Sequence, residues 1–198
     1  METLGLEGFI ARIEEGIREH DPNFQPINLL PSNVSADMSD FSAKDMEKVL
    51  SRKYIIPVDD KLATAKIALR KRLEAGVTYE DLGYRTNAAF SYERSTKSAN
   101  FLIWHDVSII LLERALSFPE YTSAFQSNPV EVMTAYAKLA EAQHLTGNFD
   151  DAKKTLKICE DLGRKAPGIL EGLWAYTRTK SRLEAGRVLP TLDSFQNF

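Results

Sequence analysis

Apolar residues in this chain recur at helical spacing rather than in alternation. Leu6, Phe9, Ile10, Ile13 and Ile17 share one face and predict an amphipathic helix over 4–19. Gly5, Gly8 and Gly16 interrupt it; each interior glycine costs about 1 kcal/mol, so the helix needs a partner surface. Residues 21–40 hold three prolines and no helical period, which reads as an extended strap. Its Phe24, Ile27, Leu29 and Leu30 are apolar enough to lie against a body or bind a neighbour. Ser42 with Asp45, and Phe41 stapled on Met46, predict a helix start that runs to about Lys53. Tyr54 to Val58 is at most an edge strand, because Pro57 interrupts it. Asp60 caps a helix over 61–75 with Leu62, Ala65, Leu69, Arg72 and Leu73 inward and Gly76 as its stop. Thr78 with Asp81 opens a further short helix, and 87–97 continues in the same idiom. Over 99–118, residues from Phe101 and Trp104 to Leu112 and Leu116 are apolar almost all round, which predicts one central core helix ended by Pro119. No convincing period-two run occurs, and the predicted fold is all-α.

From Asn128 onward several local signals agree. Asn128 is placed to cap, Pro129 takes the first helical position and Glu131 completes a capping box. A helix over 130–146 stops at Gly147, and a second begins after Asn148 and runs to about Gly163. Tyr136, Leu139 and Ala140, then Gly147, Asn148 and Phe149, then Ala152, Leu156 and Cys159 follow one another at the spacing of two closely packed antiparallel helices. Alanines at 140 and 152 permit close approach, and Tyr136, Phe149 and Leu156 fill the space around them. This segment, about 130–164, resembles a tetratricopeptide repeat. It departs from that pattern at Gln143, where an aromatic is usual, and at Arg164, where a closing proline would fall. A generic αα-hairpin is the alternative reading. One such pair cannot bury its own faces, so neighbours are required. A helix over 169–185 follows, with Leu170, Leu173, Trp174 and Thr177 inward and Arg178, Lys180 and Arg182 outward. The pentapeptide RLEAG at 72–76 returns at 182–186 and reads as reused helix-stop chemistry.

The predicted organisation is thus an N-terminal helix and strap (1–41), a helical domain around the 99–118 helix (42–127), the repeat-like pair with a capping helix (128–188) and a tail (189–198). As a whole it is a short, right-handed array of helical hairpins resembling tetratricopeptide repeats.

Composition narrows the function. The chain has 198 residues and a net charge of −3, which argues against wholesale polyanion binding. Charge is uneven: residues 1–60 hold 6 bases and 12 acids, 61–114 hold 9 and 6, and the remainder 10 and 10. One cysteine, Cys159, excludes an internal disulfide framework and reads as a small buried thiol. The acidic N-terminus lacks the pattern of an export signal, and the most apolar stretch is too short to span a bilayer. A cytoplasmic, reducing location without membrane insertion is expected.

No glycine-rich phosphate loop, HExxH, GxSxG or EF-hand loop occurs. His20, His105 and His144 are scattered, and neither catalysis, a metal nor a cofactor is expected. The leading expectation is a non-enzymatic adaptor or assembly subunit that holds a partner peptide or helix in a groove. The resemblance places Thr134, Lys138, Glu141 and Gln143 of the first helix along that groove. A self-assembling structural subunit that uses the N-terminal strap is the alternative. A third reading, a helix-turn-helix DNA binder, rests on Lys61, Lys66, Arg70, Lys71 and Arg72 ahead of a corner at 76–82.

Overall fold

The computed structural model describes residues 4–29 and 58–185. Among these it is all-helical, with eight α-helices and no strand. The expectations for the helix from Ser42, for Tyr54 to Pro57 of the extended stretch, for most of the strap and for the tail lie outside the described residues, whereas Val58 is helical. The chain divides into two compact units, Met1–Ala124 and Phe125–Phe198.

The first unit contains α1 (Leu6–His20), α2 (Val58–Asp81), α3 (Arg85–Phe101), α4 (His105–Leu116) and the short α5 (Pro119–Ser123). α2 packs on α3 and α3 on α4, so successive helices are neighbours. The middle helix is built from small residues: Ala88, Ala89, Ser95, Ser98 and Ala99 are all buried, which lets a helix approach on either side. Ser95 and Thr96 are fully buried but donate to the carbonyls of Ser91 (2.7 Å) and Glu93 (2.6 Å), so their hydroxyls are satisfied within α3.

Three predicted boundaries are overturned here. Asp60 does not stand at the cap position, because α2 begins at Val58 and includes it. Gly76 is not a stop, and Thr78 starts no new helix, because α2 continues to Asp81. The glycine serves packing instead: a Cβ there would sit 2.5 Å from Cε1 of Tyr92 on α3. The 99–118 helix is in fact two helices. Leu102–Trp104 forms a corner in which Ile103 adopts φ 62°, a left-handed conformation rare for a β-branched residue. Apolar residues on all sides of this stretch therefore reflect two helices with differently directed faces.

The corner at Ile103 has counterparts at Gly83 and Gly147, both with positive φ (79° and 82°). In each, the following residue donates its N–H back across the turn: Tyr84 to Tyr79, Trp104 to Ala99 and Asn148 to Gln143, at 2.8–2.9 Å. The left-handed residues donate to Glu80, Asn100 and His144. This double bond pattern is a Schellman motif, which satisfies the last carbonyls of the preceding helix. Counting from the corner, the same packing code follows. Seven residues before it stand Gly76, Thr96 and Ala140, and five after it Ala88, Ser108 and Ala152. Nine after it stand Tyr92, Leu112 and Leu156, and twelve after it Ser95, Ala115 and Cys159. All twelve are buried. Small residues at the crossing and a large one beyond it define one hairpin register used three times.

The second unit comprises α6 (Pro129–Leu145), α7 (Phe149–Gly163), a 3₁₀ turn (Leu170–Gly172) and α8 (Trp174–Glu184). α6 packs on both α7 and α8. Met133, Ala137, Ala140, Leu156, Cys159, Leu173 and Tyr176 form its core. Asn128 and Asn148 occupy the predicted cap positions but make no side-chain cap bond. The last predicted helix begins later than expected, since 170–172 is a 3₁₀ turn.

Candidate functional site

The four residues expected to line a groove all lie on α6, and the fold treats them differently. Thr134 and Lys138 are half-buried. Glu141 and Gln143 are only 8% and 7% exposed. Glu141 is ion-paired with Arg178 of α8, and Gln143 Oε1 accepts a bond from Thr155 Oγ1 of α7 at 2.8 Å. The groove expectation is therefore corrected at these two positions. Their polar ends hold α7 and α8 to α6, because a helix packed on two sides must satisfy its polar groups internally.

Beside them His144 is 1% exposed, its ring against Phe149 with centroids 5.3 Å apart. Neither ring nitrogen has a hydrogen-bond partner. Burial, reinforced by the charge of Arg182, holds its pKa below the usual imidazole value. A second lock joins α7 to α8: Glu160 accepts from Tyr176 Oη (3.1 Å) and Lys180 Nζ (3.0 Å). The Lys180 bond is the main reason the Glu160 carboxyl titrates lower than usual. Arg178 and Lys180, predicted to point outward, are thus engaged within the unit.

The motif residues fall where close packing needs them. Ala140 and Ala152 are fully buried, Leu139 and Leu156 are buried, Tyr136 is half-buried, and Gly147 makes the corner between Asn148 and α6. Burial pushes the Cys159 thiol up to about 12, so it is not a ready nucleophile. Trp174 and Thr177, both predicted inward, are exposed. Trp174 stands 73% exposed, with the Arg178 guanidinium 5.7 Å from its ring centre. Leu173, Tyr176 and Thr179 are the residues of this segment that turn inward.

The first unit contains two polar constellations that sequence reasoning missed. Arg114 and Glu80, both nearly buried, form an ion pair that Tyr92 Oη joins by donating to Glu80 at 2.9 Å. Arg114 also donates to the Leu4 carbonyl, and its guanidinium lies 5.1 Å from the ring centre of Phe9 and 5.4 Å from that of Phe118. Burial and the neighbouring Glu80 raise the Tyr92 phenol well above its usual pKa.

The second constellation begins with His20, stacked on Trp104 (5.3 Å, 10°), whose Nε2 meets Asp106 Oδ1 at 2.8 Å. Lys66 lies 5.9 Å from the Trp104 ring centre and pairs with Asp21 at 2.8 Å. These partners lie on α1, α2 and α4 or at the ends of α1 and α4, far apart in sequence, so no local spacing announces them.

Basic residues on α2 are similarly engaged. Besides Lys66, Arg70 pairs with Glu74 (3.0 Å), and Arg72 is buried and donates to the Arg94 carbonyl (2.9 Å). The corner expected within 76–82 falls instead at Leu82–Tyr84, between α2 and α3. Among the described residues no cluster of His, Cys, Asp and Glu could hold a metal, and no helix is long and apolar enough to cross a membrane. No protein-family model matches the sequence, and neither the curated proteins nor the solved structures offer a match.

Proposed function

We propose that the chain is a non-enzymatic protein–protein interaction module, an adaptor or assembly subunit built from hairpins of tetratricopeptide-like type. The observation that carries this reading is the hairpin register used three times, at Gly83, Ile103 and Gly147. Hairpins that stack by one repeated code create long helix surfaces, and such surfaces serve peptide and helix recognition. In the second unit the accessible candidates are Trp174, with Arg178 beside it, and the half-buried Thr134 and Lys138. Tryptophan and arginine are the residue types most enriched at energetic centres of interfaces.

Affinity purification of the full chain from its native host, followed by mass spectrometry, tests the reading. A stoichiometric protein is expected to survive a moderate salt wash. Trp174→Ala, with an unchanged melting temperature, or Lys138→Glu should reduce its recovery about tenfold or more, since a lost anchor is worth about 1.4 kcal/mol or more. Recovery of the chain alone, or of a partner indifferent to both substitutions, would overturn it.

A further inference from the structure

The first unit already shows a helix seated on its hairpins. α1 packs against both α2 and α4, and its Phe9 ring meets Tyr92 of α3 at 4.9 Å. Phe9, Ile13 and Ile17, at successive four-residue steps, are buried in this seat. Gly16 admits close approach, since a Cβ there would lie 3.2 Å from Ile110 Cδ1 and 3.8 Å from Val107 Cγ2. Polar contacts run along the helix: Leu4 O with Arg114, Arg12 with Glu113 (3.2 Å), His20 with Asp106 and Asp21 with Lys66. After α1 the chain folds back, with Phe24 and Ile27 buried and the Ile27 N–H donating to Glu14 Oε1 at 2.7 Å. Residues 4–29 thus form one small body.

That body is joined to α2 only through residues 30–57. Twenty-eight residues have a covalent reach of roughly 90 Å at about 3.3 Å each. The helix itself is a weak ligand. Gly8 and Gly16 lie in its interior, and its N-terminus has no side-chain cap. We propose that the surface made by α2, α3 and α4 is a docking site for α1 of a second copy of this chain, so that copies associate by exchanging residues 4–29.

The occupant is specified by the contacts themselves. Another copy's α1 reproduces every apolar and charged contact just described, which makes exchange of an identical element a low-cost route to association. The chain's own α1 competes at the effective concentration set by its covalent connection, which does not change with dilution. Exchange therefore grows with chain concentration. This inference rests on reading the hairpins as an interaction module, but it concerns the first unit and leaves the Trp174 test independent.

The experiment uses full-length chains in a Cys159→Ala background and a short thiol–thiol cross-linker. One chain carries Arg12→Cys, the other Glu113→Cys, and the two are mixed across micromolar to millimolar concentration. The expected result is a cross-linked dimer of one chain of each type, its fraction rising about tenfold per tenfold in concentration while small. Adding Ile13→Asp to the Arg12→Cys chain should abolish it. A chain carrying both cysteines that links only to itself, while the mixture gives no dimer at any concentration, would overturn the proposal. Failure of that double variant to link at all would equally overturn it, because α1 would then not occupy this surface.

Discussion

Ile103 shows how a single residue can mark a turn against its own preference. A β-branched side chain at φ 62° costs about 1–2 kcal/mol relative to right-handed backbone. Its side chain is 67% exposed, so little burial offsets that cost. Ile103→Gly is therefore expected to stabilise the chain by about 0.5–1 kcal/mol, after allowance for the extra flexibility of unfolded glycine. Urea titration checks this, and a loss of stability would mean that the side chain makes a contribution its exposure does not suggest. Gly147→Ala should act in the opposite sense by about 1 kcal/mol, because φ 82° penalises a Cβ even though open space surrounds it.

Helix pairing is decided by a few close approaches. Gly76→Ala would favour an exposed helix by about 1 kcal/mol, yet here the new methyl lies 2.5 Å from the buried Tyr92 ring. A net destabilisation of about 1–2 kcal/mol is expected, read from the urea midpoint at constant slope. Arg114 of α4 reaches α1 through Phe9 and α2 through Glu80, and also holds the Leu4 carbonyl and the Phe118 ring. Arg114→Met leaves Glu80 buried without its partner and should cost about 3–5 kcal/mol. Combining it with Glu80→Gln should restore part of that loss, because the uncompensated charge is gone. Hydrogen exchange over residues 6–20 should rise in Arg114→Met if the guanidinium holds α1 in place.

The whole chain should be acid-sensitive before its carboxylates titrate. His144 and His105 are both held below the usual imidazole pKa, chiefly by burial. Well above about pH 6.5 the imidazoles are neutral whether the chain is folded or unfolded. As pH falls below that value the unfolded chain takes up protons first, so stability drops until the folded-state values are passed. Thermal melts at pH 7.5 and 5.5 should show the lower transition at pH 5.5, and His144→Leu should reduce the difference. The Glu160 carboxyl, held low by Lys180, adds a second loss at still lower pH, below the usual carboxylate value.

The sequence alone determined the helical class, the amphipathic face of α1 and the α6–α7 hairpin. In each case the signal is local, in apolar spacing of three and four residues or in a Gly-Asn-aromatic corner such as Gly147 to Phe149. Local signals failed where a residue serves a distant neighbour. Gly76 reads as a stop but is a contact for Tyr92, and Trp174 reads as core but stands in solvent. Ile103 conceals a corner because no propensity places a β-branched residue in left-handed backbone. The pairs Arg114–Glu80, His20–Asp106 and Arg178–Glu141 join helices remote in sequence. Such pairings depend on which helix faces meet, and helix packing alone decides that, since the free energy of a buried pair exists only once both partners have been removed from water.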